Sequence, residues 1–243
     1  MPPPGIDIDP DSIGLPQLGR GDVPDYLSRH YWWAYVHPKA VHLFERQWLV
    51  NLILWGNYRS LRDAALQSLG EVLPGQTLQI ACVYGDLTER LCQRVSLGGG
   101  SLDVVDVLPI QLTNLRHKLP PEAPVRFLQR NSAELGGANA RYDRAILFFL
   151  LHEQPPEIRR RTLEEAFRVV KPGGTILILD YARPSLWNPL RYLWLPILTW
   201  LEPFAPDLWR QAITTFLPGS WRGQDLRQTS FFGGLYQRLV ITR

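Results

Sequence analysis

Cysteine and net charge are scarce in this chain, and long apolar runs are absent; each shortage excludes a class of protein. Two cysteines, Cys82 and Cys92, in 243 residues cannot build a disulfide scaffold and suit a reducing compartment. A net charge of +3, with no basic tract lined by aromatics, is too slight a footprint for a nucleic-acid partner. No apolar run approaches the roughly twenty residues that a spanning helix needs, since the longest candidate, within 185–215, is broken by prolines. No basic-plus-apolar leader opens the chain; residues 1–24, rich in Pro, Gly and Asp, are expected to form a mobile arm. What the chain has is core. Its 45% hydrophobic content with 20% charge argues against disorder, and its length suits a single large α/β domain over 25–243.

Nine tryptophans fall into two groups, Trp32 to Trp55 and Trp187 to Trp221, on either side of the central region. They read either as large core residues or as an apolar ligand site or membrane interface, where indole is comfortable. Residues 25–58 look helical, with Pro38 at a break, and 59–69 continue as a helix stopped by Gly70. The first 25–70 would then form a helical cap. Strands and helices alternate after it: strands at 78–82, 101–105, 125–129, 145–150 and 174–180, helices at 86–95, 109–118 and 156–170. This order with short connections implies a doubly wound, mostly parallel sheet. Residues 185–225 interrupt the alternation as a hydrophobic lid insertion. The end, 230–243, reads as a closing antiparallel hairpin with Gly233-Gly234 in or near its turn.

The segment TLQIACVYGDLT, residues 77–88, has the frame of a nucleotide-binding turn with most of its glycines replaced. Strand, tight turn and helix in this order are where class I methyltransferases hold S-adenosylmethionine (SAM), usually behind an acidic residue and two or three glycines. Here Gln79 takes the acidic place, Cys82, Val83 and Tyr84 take glycine places, and Gly85 remains. The stretch RVVKPGGTILILDYARP, 168–184, has the form of the approach to strand five in the same fold.

Ligands of parallel sheets bind beyond the carboxyl ends of the strands. Gly85 and Asp86 fall there after strand one, at a helix N-terminus able to meet a carboxylate. Asp106 follows strand two and can accept hydrogen bonds from the SAM ribose or cap the next helix. Asn131 and Ser132 follow strand three, facing adenine or turning a loop. His152 and Glu153 follow strand four at the reacting end, as divalent-metal ligands, as acid–base groups, or as a surface pair at a helix start. Asp180 ends strand five at the ligand edge, whereas Asp143, which starts strand four, would lie at the far edge.

Together ACVYGDLT, DVVDVLPIQL, HEQPP, KPGG with DYARP, and the aromatic YWWAYVHPKAVHLFERQWLVNLILWGNY resemble the rhodoquinone biosynthesis protein family. That family is itself similar to the ubiquinone and menaquinone C-methyltransferases. The resemblance runs from about Val23 to the C-terminus. It implies a class I SAM-dependent, Rossmann-like methyltransferase fold and an unusual reaction: ubiquinone becomes rhodoquinone as a ring methoxy group is exchanged for an amino group. SAM is then the nitrogen source, and manganese, Mn(II), is required. Carried over by position, the SAM turn is Cys82, Val83, Tyr84, Gly85 and Asp86, and the ribose acid is Asp106.

A methyl donor keeps its methionyl amine parked as an ammonium, which a nearby acid favours; Gln79 cannot supply that charge. Val83 and Tyr84 are bulky enough to keep the methionyl tail off the backbone and turn its amine toward the quinone, which makes Tyr84, with His152 and Glu153, a candidate catalytic group. A polyprenyl quinone lives in the bilayer, so the enzyme is expected in the cytoplasm, peripheral to the inner membrane. Trp32, Trp33, Trp48 and Trp55 with Arg29 and Arg46, and Trp187, Trp194 and Trp200 with Arg191, would touch its surface. Two rivals stand: an ordinary quinone or small-molecule methyltransferase with a decayed glycine loop, and a non-catalytic scaffold of a quinone-biosynthesis assembly.

Overall fold

Apolar residues alternate in period two along the central strands, and each phase of the alternation feeds a different core. In the computed structural model, which describes residues 24, 26–27, 47–193, 204–221, 223 and 225–243, seven strands form one sheet. They are β1 (Gln76–Ile80), β2 (Ser101–Asp106), β3 (Val125–Gln129), β4 (Tyr142–Phe148), β5 (Val170–Tyr181), β6 (Leu226–Phe231) and β7 (Tyr236–Thr242). The spatial order is β3-β2-β1-β4-β5-β7-β6. Strands β1 to β5 pair in parallel, and β7 runs antiparallel to both neighbours.

Ile146 and Phe148 of β4 with Leu177 and Leu179 of β5 join one core. Tyr58, Leu61, Ala65 and Leu66 from helix α2 (Tyr58–Leu69) cover it, with Leu91 and Val95 from α3 (Leu87–Leu97) and Leu112 and Leu115 from α4 (Pro109–Lys118). A short helix α1 (Gln47–Ile53) precedes them. Ala145 and Leu147 with Ile176 and Ile178 point the other way, against Leu163 and Ala166 of α5 (Pro156–Val169). Leu208, Ile213, Phe216 and Leu217 are buried in this second core. Shifting any central strand by one residue would exchange its two apolar sets, so register is strongly specified.

Several boundaries differ from the sequence expectation. Strand β1 ends at Ile80 rather than Cys82, because Ala81 turns into the left-handed region at φ 73°. β4 begins at Tyr142 and ends at Phe148, because Phe149 leaves the strand at φ 53°. β5 begins at Val170: Val170 pairs with Tyr142, then Lys171 to Gly174 bulge out before Thr175 pairs with Arg144. Asp143 does lie at the edge opposite the proposed site, accepting hydrogen bonds from Gln76 N and Lys171 Nζ. Of the expected 185–225 insertion, the segment before residue 194 carries exposed Leu186, Trp187, Tyr192 and Leu193, while the buried part is the core stretch just named. Of the 25–58 helix expected from sequence, the described part is helical at Gln47–Ile53 and breaks at 54–57, and α2 then runs Tyr58–Leu69 to Gly70. The 1–24 arm apart from Pro24, and Arg29, Trp32, Trp33, Arg46, Trp194 and Trp200, lie outside the described residues. Among the described residues no helix is long and apolar enough to cross a membrane.

Candidate active site

The carboxyl ends of β1, β2, β4 and β5 open on one edge, and most of the candidate residues gather there because parallel strands deliver their C-termini together. At the end of β1, Ala81 donates its N–H to Val105 O at 2.8 Å. Its positive φ is the conformation in which glycine costs least. The left-handed positions of the degenerate turn are therefore Ala81 and Gly85 (φ 87°). Cys82, Val83 and Tyr84, expected in glycine places, need no glycine conformation.

Asp106 closes this turn from β2. One carboxylate oxygen accepts the Cys82 N–H at 2.8 Å, and the other accepts the Leu108 N–H at 2.8 Å. The second bond is a local turn leading toward α4 rather than a cap, since the N-cap is Leu108 and carries no side-chain bond, and each oxygen keeps lone pairs for a further donor. Burial pushes Asp106 up to about 6, against the lowering pull of those backbone N–H groups. Gln79 is fully buried, donating to Ala81 O at 3.0 Å and accepting from the Thr88 hydroxyl at 3.0 Å. A neutral amide thus links β1 to α3. Tyr84 accepts a hydrogen bond from Gln111 Nε2 at 2.9 Å, which aims it toward α4.

The start of α3 is crowded by a residue the sequence did not point to. The Tyr58 hydroxyl accepts N–H bonds from Asp86 at 2.8 Å and Leu87 at 3.1 Å, and donates to Asp86 Oδ1 at 3.3 Å. A Cβ on Gly85 would come within 2.3 Å of that oxygen, so glycine here makes room for the phenol. Arg62 reaches both Asp86 oxygens at 2.7 Å, and Arg90 adds a third bond at 2.7 Å. Burial alone would raise Asp86, but these arginines outweigh it and hold the carboxyl at about 2.

At the reacting end, His152 sits on a 3₁₀ turn, Leu151–Glu153, directly after β4. Its Nδ1 lies 2.9 Å from Asp180 Oδ1. Asp180, fully buried at the end of β5, also accepts the N–H groups of Leu151, His152 and Tyr181 at 2.8, 3.3 and 2.7 Å. A carboxyl group with this many donors is a rigid base plate, and it fixes the imidazole with Nε2 on the side of Glu153. Glu153 Oε1 stands 3.9 Å from that Nε2. The Phe149 and Tyr181 rings meet the imidazole edge-on, with centroids 5.9 and 4.8 Å away. Arg159, fully buried in α5, holds the turn from behind by donating to Leu151 O and Gln154 O. Tyr26 comes in from the N-terminal segment with its ring edge-on to Phe204. Burial, and then the nearby carboxylates of Glu153 and Asp106, push its phenol well up, with a hydrogen bond from Gln154 opposing. Tyr26 is therefore near enough to feel both acids that the sequence assigned to ribose and to chemistry.

Asn131 and Ser132 stand beside the edge and serve its framework. Asn131 Oδ1 accepts the Ala133 N–H at 2.9 Å, an Asx turn. The Ser132 hydroxyl pairs with Thr162 at 3.0 Å and accepts from Gln154 Nε2 at 2.9 Å, joining the β3 loop to α5. The metal expectation fares less well. With Nδ1 committed to Asp180, His152 and Glu153 offer two donors, and no cluster of three His, Cys, Asp or Glu able to hold a metal occurs among the described residues. That set does not fit a resident manganese ion. Neither cysteine is in a disulfide.

A seven-stranded sheet in this order with β7 reversed, carrying an acid after β2 and a turn after β1, is the class I SAM-dependent methyltransferase fold. Residues 77–174 match the methyltransferase domain family. The chain is 27% identical over 156 residues to the ubiquinone/menaquinone biosynthesis C-methyltransferase UbiE of Coxiella burnetii, covering 61% of each. It thus spans about three-fifths of that relative's length. An uncharacterized methyltransferase of Synechocystis, sll0829, is 26% identical over 186 residues, which cover 76% of this chain and 81% of that one. Among solved structures, human N-acetylserotonin methyltransferase in complex with SAM superposes with a TM-score of 0.58 at 18% identity, covering 92% of this chain and 64% of that chain. Over its central region the chain is thus similar to methyltransferase domains, those of quinone C-methyltransferases among them.

The sequence missed Tyr58, Ala81, Tyr26 and Arg159. Only Ala81 left a trace, as a small residue inside the degenerate turn.

Proposed function

We propose that this protein is a SAM-dependent transferase acting on the ring of a polyprenyl quinone, and that the group it transfers is the amine, turning ubiquinone into rhodoquinone. The observation that carries the reading is Gln79. Its amide is saturated by Ala81 O and Thr88, so it brings no negative charge to the methionyl end. The nearest acid in the turn, Asp86, is neutralised by Arg62 and Arg90. An amine in such surroundings is not driven to the ammonium form and keeps its lone pair. Asp106 would receive the ribose hydroxyls.

His152, oriented by Asp180, is the general base of this scheme. The amine adds to the ring carbon bearing methoxy, His152 takes the ammonium proton, and the departing methoxide recovers a proton to leave as methanol. Redox-neutral elimination then frees the amino-quinone: a proton leaves the β-carbon of the aminoacyl chain, the nitrogen–carbon bond breaks with its electron pair going to nitrogen, nitrogen takes up a proton, and the remaining chain becomes unsaturated. Among the described residues, manganese, which the family resemblance implies, would meet His152 and Glu153, and the scheme uses this chain's groups alone. Exposed Leu186, Trp187 and Tyr192, with Phe232 at the β6–β7 turn, support a peripheral seat on the membrane that holds the quinone. Flotation with anionic liposomes tests it: Trp187→Ala, at a side chain 94% exposed, should weaken association without changing the fold.

Methyl transfer to a quinone ring is the second reading, favoured by the activity for which the Coxiella relative is named. The same dyad could remove the ring proton displaced by a methyl group. Mass spectrometry of quinone products formed from SAM labelled with nitrogen-15 at its amine separates the two. A labelled amino-quinone supports amine transfer; a methylated quinone with S-adenosylhomocysteine establishes the rival.

A further inference from the structure

The α3 N-terminus is an unoccupied invitation to an anion in most folds of this kind, since its first N–H groups point outward and its dipole favours negative charge. In this chain the position is taken. The Tyr58 hydroxyl sits on the Asp86 and Leu87 N–H groups at 2.8 and 3.1 Å. It is held there: Tyr58 is fully buried, its ring is edge-on to Phe148 at 6.4 Å, and the missing Cβ of Gly85 leaves room for the oxygen. The Arg62 guanidinium, also buried, is spent on Asp86 and Asp63. The two features at this end best suited to a carboxylate, a helix start and an arginine, are therefore both occupied by the protein's own groups.

We infer that Tyr58 is a positioning residue that denies the α3 N-terminus to the carboxylate of SAM, so that the aminoacyl tail is left unanchored there. This rests on the proposal that the protein binds SAM. With its carboxylate turned away from α3, the tail can swing toward the ends of β4 and β5, where His152 and Asp180 stand. Tyr58 would then select how the cofactor lies, and through that which of its groups meets the quinone. A phenol provides this without adding charge, because burial holds it protonated.

Two measurements test the idea. In the unaltered protein, calorimetry should give SAM and decarboxylated SAM affinities within about fivefold, since a carboxylate without charge-assisted partners adds little. A larger advantage for SAM overturns the inference. Tyr58→Phe keeps the ring against Phe148 and empties the two N–H groups. It should raise the preference for SAM over its decarboxylated form by about tenfold while lowering kcat for quinone amination. Tighter binding with slower turnover is not the signature of a damaged fold, which would weaken both ligands together. An unchanged preference in a variant that melts cooperatively also overturns the inference. Failure of the unaltered protein to bind either ligand is a different result, and removes the SAM reading itself.

Discussion

Replacing Asp106 by asparagine sets two buried effects against each other, and pH separates them. In the folded protein this carboxyl is raised from 3.8 to about 6 by burial. Holding it ionised at pH 7 therefore costs about 3 kcal/mol relative to the unfolded chain. Asparagine removes that cost. It also keeps only one good acceptor for two N–H donors, Cys82 and Leu108, and turns an amide donor against one of them, a loss of about 1.5–3 kcal/mol. At pH 7 the two terms nearly cancel, so a single stability measurement would decide nothing. The pH dependence does. Above 3.8 the unfolded Asp106 gives up its proton while the folded one keeps it to about 6, so the native state binds more protons in that window and its stability falls as pH rises. Asp106→Asn has no such slope. Urea unfolding of both proteins at pH 5, 6 and 7 should show the difference moving in favour of the variant by about 1 kcal/mol across the range. A flat difference, or drift toward the unaltered protein, would refute the account of Asp106 as a strained buried anion. Calorimetry on the same variant should show SAM affinity reduced at least tenfold, because the charged acceptor proposed for the ribose hydroxyls is lost.

Ala81→Gly should stabilise the protein by about 0.5–1 kcal/mol, as relief of a left-handed alanine outweighs the added freedom of the unfolded chain; equilibrium denaturation reads it, and a loss would mean that the turn is unstrained. Asp180→Asn should leave SAM affinity in place and slow single turnover by about two to four orders of magnitude, since His152 loses the partner that orients it as a base. Full turnover in that variant would remove the dyad from the chemistry.

The layering of this protein was written in its sequence. Period-two runs such as Ala145 to Phe148 and Ile176 to Leu179 can bury both faces only inside a sheet covered on each side. Short connections then force the parallel, doubly wound order and bring Asp106, His152 and Asp180 to one edge. The end of β1 was less legible, because TLQIACV holds no glycine, proline or charge and carries no mark of where pairing stops. There the ladder decides: Ile80 pairs with Val105 and Leu147, and Ala81 turns away. The His152–Asp180 bond joins residues 28 apart in the chain, and only the parallel register of β4 on β5, with Phe148 beside Leu179, sets them face to face. Tyr58 shows the limit of sequence most clearly. Nothing in the local pattern of α2 distinguishes a buried tyrosine that packs from one that fills a helix terminus 28 residues away. Periodicity fixes which face of an element is buried, because that depends on neighbours along the chain. Which polar atom meets which is decided by how separate elements pack, and that belongs to the tertiary structure alone.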